Sequence, residues 1–174
     1  MVTGFYNKAP QFRFIRRDSV VLSIDVDKTN EDGLFKAVNG AKLILESSNL
    51  MLIDFTSYAD ISTVPCHYVV YWEVKDTKED KSKNMELKEE IFSECCLLME
   101  DSFDEVYKNC RFREKSVGPL EIKVVRHGTF DSLMDFFISQ GASIGQYKTP
   151  RCIKSSKALE VLEKSVVATF FSTE

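Results

Sequence analysis

LMLIDFTSY, residues 50–58, and HYVVYWEV, residues 67–74, decide how the rest of the chain is read. Both stretches are dense in aromatic and β-branched side chains, which suit a pleated, half-buried surface. A short loop separates them, so they are expected to lie as adjacent strands. A sheet of that kind needs helices or another sheet over its apolar faces. Upstream, Leu34, Phe35, Val38 and Ala41 share one face of a helix that follows DVDKT, with Thr29 expected as its N-cap and Asp32 completing an imperfect capping box. Gly33 and Gly40 weaken that helix locally. Downstream, after the polar surface loop DTKEDKSKN (76–84), Ile91, Cys95, Leu98, Ser102, Val106 and Cys110 recur at steps of three or four and predict one long helix from Met85 onward.

Toward the C-terminus, PLEIKVV (119–125) reads as a strand opened by Gly118-Pro119. Thr129 is expected to cap a helix carrying Leu133, Met134, Phe136 and Phe137 that stops at Gly141. A short helix from about Ser156 to Glu163 and a terminal strand VVATFF follow. Toward the N-terminus, QFRFIRRDSVVLSI (11–24) reads as two strands joined by a tight polar turn at Asp18-Ser19. The expected fold is a single α+β domain, a mixed β-sheet flanked by helices. No repeat, low-complexity tract or linker divides it.

The chain has 174 residues, of which 44% are hydrophobic, enough to bury one ordinary core. Its formal charge of −4 is mild and its basic residues are scattered, which argues against nucleic-acid binding. No apolar run approaches the roughly 20 residues that cross a bilayer, and MVTGFYNKAPQF lacks a signal-peptide core, so a cytosolic protein is expected. Five cysteines (Cys66, Cys95, Cys96, Cys110, Cys152) without C-x-x-C spacing fit buried thiols in a reducing compartment better than disulfides or zinc. The two histidines, His67 and His127, have no partner at a metal-ligand or triad spacing, so neither metal nor nucleophilic catalysis is expected.

Two lysines stand where a functional lysine could: Lys28 in SIDVDKT, at a strand–helix junction, and Lys148 in GQYKTPR, with a glycine before it and a proline after. On spacing alone both read as surface lysines in loops. No Gly-rich phosphate cradle, paired carboxylate site or dinucleotide fingerprint is present. Taken by itself, the chain is short of a complete active site.

The stretches GFYNKAPQFRFIRRDSVVLSID, DKTNE, HYVVYWEV, SVGPLEIKVVRHGTFDSLMDFFISQGAS and QYKTPRC together resemble the carboxy-terminal domain of the plant Gretchen Hagen 3 acyl acid–amido synthetases, relatives of the luciferase-like adenylating enzymes. The resemblance runs from about Thr3 to Phe171 and is nearest to the branch that joins glutamate to substituted benzoates or isochorismate. It implies a two-step ligase using ATP and Mg2+, with a large amino-terminal domain that binds ATP and the acyl acid (benzoate, jasmonate or auxin type). It also implies a small mobile lid, to which residues 1–174 correspond. The family's nucleotide motifs lie upstream of this stretch, so the chain alone is expected to bind no cofactor and to be inactive.

By the same resemblance Lys148 matches the lysine of the family's QYK-x-PRC motif and Lys28 that of its DKT motif, both positive groups presented to the nucleotide. Arg16 and Arg17 lie where the lid joins the large domain and read either as hinge or nucleotide contacts or as a solvated basic strand end. Cys66 stands where family members usually carry glycine, which would strain the turn if that position needs φ > 0 and be neutral otherwise. A second reading stays open: a stand-alone, non-catalytic module that pairs with a full-length homologue or regulator.

Overall fold

The computed structural model describes residues 2–12, 20–77 and 88–173. Its centre is β6 (His67–Asp76), which pairs antiparallel with β5 (Leu50–Asp60) and parallel with β7 (Glu121–Val125). β7 pairs antiparallel with β8 (Val166–Phe171), giving a mixed sheet in the order β5-β6-β7-β8. β6 is apolar without a break from Tyr68 to Trp72 because both of its faces are covered. Tyr68, Val70, Trp72 and Val74 join one core, while Val69 and Tyr71 join another on the opposite face.

The first face is covered by α1 (Glu31–Ser47) and α2 (Glu89–Ser102), which bury Leu34, Val38, Ala41 and Leu45, and Phe92, Cys95, Cys96 and Met99. The second is covered by α4 (Thr129–Ser139) and α5 (Ser156–Glu163), through Phe130, Leu133, Ala158 and Leu162. The α+β reading therefore holds. The bounds of α5 and β8 coincide with those read from the sequence. The same is true of the stop of α4, where Gly141 takes φ +100° and its N–H and that of Ala142 close back on Ile138 and Phe137.

Three expectations need correction. Thr129 is the first residue of α4 and not its cap, a position held by Gly128. The N-cap of α1 is Asn30, not Thr29: Asn30 Oδ1 accepts the Gly33 N–H at 2.8 Å, while Thr29 is buried in β4 (Asp27–Asn30). Of the hairpin expected over 11–24, residues 13–19 lie outside the described residues; β2 (Ala9–Phe12) pairs with β1 (Val2–Tyr6), and β3 (Val20–Ile24) pairs with β4 across a turn in which Asp25 adopts φ 54°. The Asp18-Ser19 turn lies outside the described residues.

The long helix after Met85 ends at Ser102. Asp104 begins another, its carboxylate accepting the N–H groups of Val106 and Tyr107 at 3.0 Å at the head of α3 (Glu105–Lys108). A π-helical turn, Asn109–Arg113, follows. The restart rotates the seam, so Tyr107 is buried while Val106 is exposed.

All five cysteines are free, and Cys95, Cys96 and Cys110 are fully buried. Burial pushes the Cys95 thiol up to about 12 and raises Cys96 as well, making both inert core groups. Among the described residues no helix is long and apolar enough to cross a membrane.

Candidate functional site

β5 is an edge strand, and its free side is taken by residues 149–153. Ser57 N–H donates to Arg151 O at 3.0 Å and Ile153 N–H donates to Ser57 O at 2.8 Å, so Ser57 and Cys152 face each other in a parallel bridge. Buried side chains of β5 add to this: Thr56 Oγ1 donates to Pro150 O at 2.6 Å and Ser57 Oγ to Arg151 O at 2.5 Å. Pro150 has no N–H to lose and is tolerated at such an edge.

The heaviest clamp is Asp54, which sits beside a register shift in β5 between Leu52 and Asp54. Its Oδ2 accepts Thr149 Oγ1 at 2.6 Å, and its Oδ1 accepts Arg151 Nη1 at 2.7 Å and the Phe55 N–H at 2.8 Å. The Arg151 guanidinium also lies over Phe55 and Phe35, 4.4 and 5.2 Å from the ring centroids.

Lys148 stands next to this clamp. It is exposed, and among the described residues its ammonium has no hydrogen-bond or ion-pair partner. It borders a cleft of about 680 Å3 whose wall includes Phe35, Asp54, Glu73, His127 and Tyr147. A smaller hollow of about 320 Å3, with Phe137 and Pro150, shares Tyr147 and Lys148. Tyr147 packs on Phe137 with centroids 6.2 Å apart, and burial raises its hydroxyl above the usual range. Gly145 lies in a 3-10 turn without positive φ, so the rigidity around Lys148 comes from the clamp and Pro150 rather than from that glycine.

Glu73 builds the floor of the cleft. Gly128, at φ 82°, has no side chain to cap α4, and buried Glu73 of β6 does so instead. Its carboxylate accepts the N–H groups of Gly128 and Phe130 at 2.8 and 3.0 Å and His127 Nδ1 at 2.8 Å. That leaves the ring of His127 largely in solvent, 75% exposed.

Lys28 is elsewhere: it is exposed on β4 opposite Ser23, and it does not line the cleft of Lys148. Its hairpin is held by Asp27, whose buried carboxylate accepts the hydroxyls of Tyr68 and Thr29. Burial raises the Asp27 carboxyl above its ordinary range, against the lowering effect of the Tyr68 bond. Arg16 and Arg17 lie outside the described residues.

Cys66 is not at positive φ; it bridges Val117 and accepts the Gly118 N–H at 2.7 Å, so the strain that a left-handed turn would bring is absent. Asp25, Cys110 and Glu114 bring ligand atoms within 4.8 Å of one another, but two of the three are exposed and no metal role is assigned to them. The groups that sequence reasoning passed over are Asp54, Thr149, Arg151 and Glu73. The signal was present in two of them, each a single carboxylate inside an apolar strand.

Comparison with known proteins gives the family and the fold. The GH3 family C-terminal domain matches residues 32–157. The chain is 72% identical to the 4-substituted benzoates-glutamate ligase GH3.12 of Arabidopsis thaliana, over 99% of this chain and 30% of that protein. It is 53% identical to a probable indole-3-acetic acid-amido synthetase of Oryza sativa subsp. japonica, over 99% of this chain and 29% of that protein. Among solved structures, a GH3.15 acyl acid amido synthetase superposes with a TM-score of 0.88 at 51% identity, covering 99% of this chain and 31% of that one. The chain thus spans about 30% of the length of the relatives it matches. It belongs to the GH3 family, and the part of that family it represents is the C-terminal domain.

Proposed function

We propose that the chain serves as the mobile lid of an ATP-dependent acid–amino acid ligase, and that Lys148 is the charge it presents to the reacting phosphate. The observation that carries this reading is an ammonium without a partner among the described residues, on a clamped segment bordering a cleft. In the first half-reaction the acid's carboxylate attacks the α-phosphorus of ATP and pyrophosphate leaves. In the second, an amino acid's amine displaces AMP to form the amide. Negative charge grows on the phosphate oxygens in the first step, and an ammonium already held in place stabilises that charge more than it stabilises the ground state.

Tyr147 and Pro150 limit the freedom of the loop, so less entropy is lost when the lid closes. Mg2+ accompanies the nucleotide as its counter-ion, and no ligand for it is assigned to this chain. Lys28 is the second positive group of the lid, and Arg16 and Arg17 supply hinge or nucleotide contacts. The activity for which the 72% identical relative is named supports a substituted benzoate as the acid and glutamate as the acceptor.

The test grafts this chain onto that relative in place of its C-terminal portion. Lys148→Ala is expected to lower the adenylation rate by about 10² to 10³ with KM for ATP nearly unchanged, and Lys148→Arg to recover part of the loss. Lys154→Ala, on the exposed stretch beyond the strip, is the control. Equal losses at Lys148 and Lys154, or a defect confined to ATP binding, would return Lys148 to the ordinary surface lysines. The 174-residue chain alone is expected to show no acid-dependent ATP–pyrophosphate exchange.

A further inference from the structure

We propose that Asp54 is a positioning residue for Lys148, acting through Thr149 and Arg151; the role rests on the catalytic reading of Lys148. The backbone bridge to β5 fixes residues 151–153 through Ser57, and therefore stops short of Lys148. Beyond it, Thr56 holds the Pro150 carbonyl, and Asp54 Oδ2 holds the hydroxyl of Thr149, the residue adjoining Lys148.

The other oxygen of Asp54 is engaged by the Arg151 guanidinium and the Phe55 N–H, which aims the carboxylate and leaves Oδ2 to Thr149. Arg151 has a second task in this arrangement. Its charge answers that of Asp54, one of four carboxylates on the cleft wall, so Asp54 is engaged by Arg151 rather than by the Lys148 ammonium that must meet a phosphate. Asp54, Arg151 and Thr149 together thus fix the backbone from which the ammonium extends, with Asp54 itself already engaged.

The experiment has two arms. In the first, 15N relaxation on this chain reads the order parameter of the Lys148 amide. Asp54→Ala and Thr149→Val are expected to lower it from about 0.85 to below about 0.6, while Thr149→Ser, which keeps the hydroxyl, holds the original value. Thr149→Val preserves the shape of the side chain, so it reports even if Asp54→Ala destabilises the strand.

In the second arm, in the graft, Asp54→Ala and Thr149→Val are expected to lower kcat about tenfold with KM for ATP unchanged, and Thr149→Ser to restore it. Unchanged order at Lys148 in both variants would overturn the proposal, as would lost order with an unchanged kcat, which would leave Asp54 purely structural. A Lys148→Ala graft with full activity would instead overturn the catalytic reading, and the relaxation arm would still show whether Asp54 fixes the segment.

Discussion

Lys28 and Lys148 are both exposed lysines on segments tied down by an aspartate, yet the two ties differ in kind. Asp27, beneath the Lys28 hairpin, is fully buried and bound by two hydroxyls without a cation among the described residues. Asp54, beneath the Lys148 strip, keeps 24% of its side chain exposed and is bound by a guanidinium, a hydroxyl and a backbone N–H. A buried carboxylate without a counter-charge is held by packing and favours its neutral form. A partly exposed one such as Asp54 is instead held by direct bonds from a guanidinium, a hydroxyl and a backbone N–H. The hairpin is therefore part of the core, and the strip is an attachment to the edge of the sheet.

The sharpest way to break this contrast is Asp27→Ala, which strips Tyr68 of its partner inside a layer where Tyr68 also stacks on Tyr107. A loss of about 2 to 3 kcal/mol in urea denaturation is expected, the penalty of a buried hydroxyl left unsatisfied plus a small cavity. A loss below about 0.5 kcal/mol would show that water reaches the site and that Asp27 is no core group.

The same residue gives a pH dependence. Because the folded-state pKa of Asp27 is raised above 3.8, its contribution is fully present below the unfolded pKa and is lost as pH rises through the folded value. Asp27→Asn is neutral at every pH. Its stability relative to the parent chain is therefore expected to improve as pH rises from about 4, by at most about 1.4 kcal/mol per pH unit. A difference that is flat, or that favours the parent chain as pH rises, would place the Asp27 pKa at or below its ordinary value.

Arg151→Lys probes the other tie and is expected to have a smaller effect, about 1 to 2 kcal/mol. A lysine keeps the charge but cannot reach both Asp54 Oδ1 and Phe55 O while lying over two rings. Hydrogen exchange should locate the damage: faster at the Ile153 amide, unchanged in α2. Global loss of protection would mean that the strip belongs to the cooperative core after all.

What the sequence disclosed and what it hid follow the same division between local and distant partners. Gly141 ends α4 in a left-handed turn and the apolar face of α5 spans 156–163, signals that lie within a turn or two of the chain and were legible. Tyr68, Val69, Val70, Tyr71 and Trp72 announce a strand buried on both faces by composition alone. Thr149 and Asp54, however, are 95 positions apart, and Glu73 caps a helix 57 positions downstream. A lone carboxylate in an apolar strand says that a partner exists without saying which. The break at Asp104 was missed for a different reason: the apolar period continues across it, and only the capping geometry shows the restart.

Backbone geometry alone gives the smallest expected effect, at Cys66, where no carboxylate is involved. A glycine there would relieve strain only if the residue were left-handed, and it is not. Cys66 instead runs into β6, bridges Val117, and packs its half-buried side chain against the main core. Cys66→Gly removes that packing and adds conformational freedom to the unfolded chain, a destabilisation of about 0.5 to 1 kcal/mol. For a domain of this size that is a fall in Tm of about 1 to 4 °C. A rise in Tm would mean that the turn after Pro65 prefers a left-handed residue in solution. Cys66→Ser separates the two contributions, because it keeps the Cβ and removes only the sulfur, and it should recover the part of the loss that comes from the backbone.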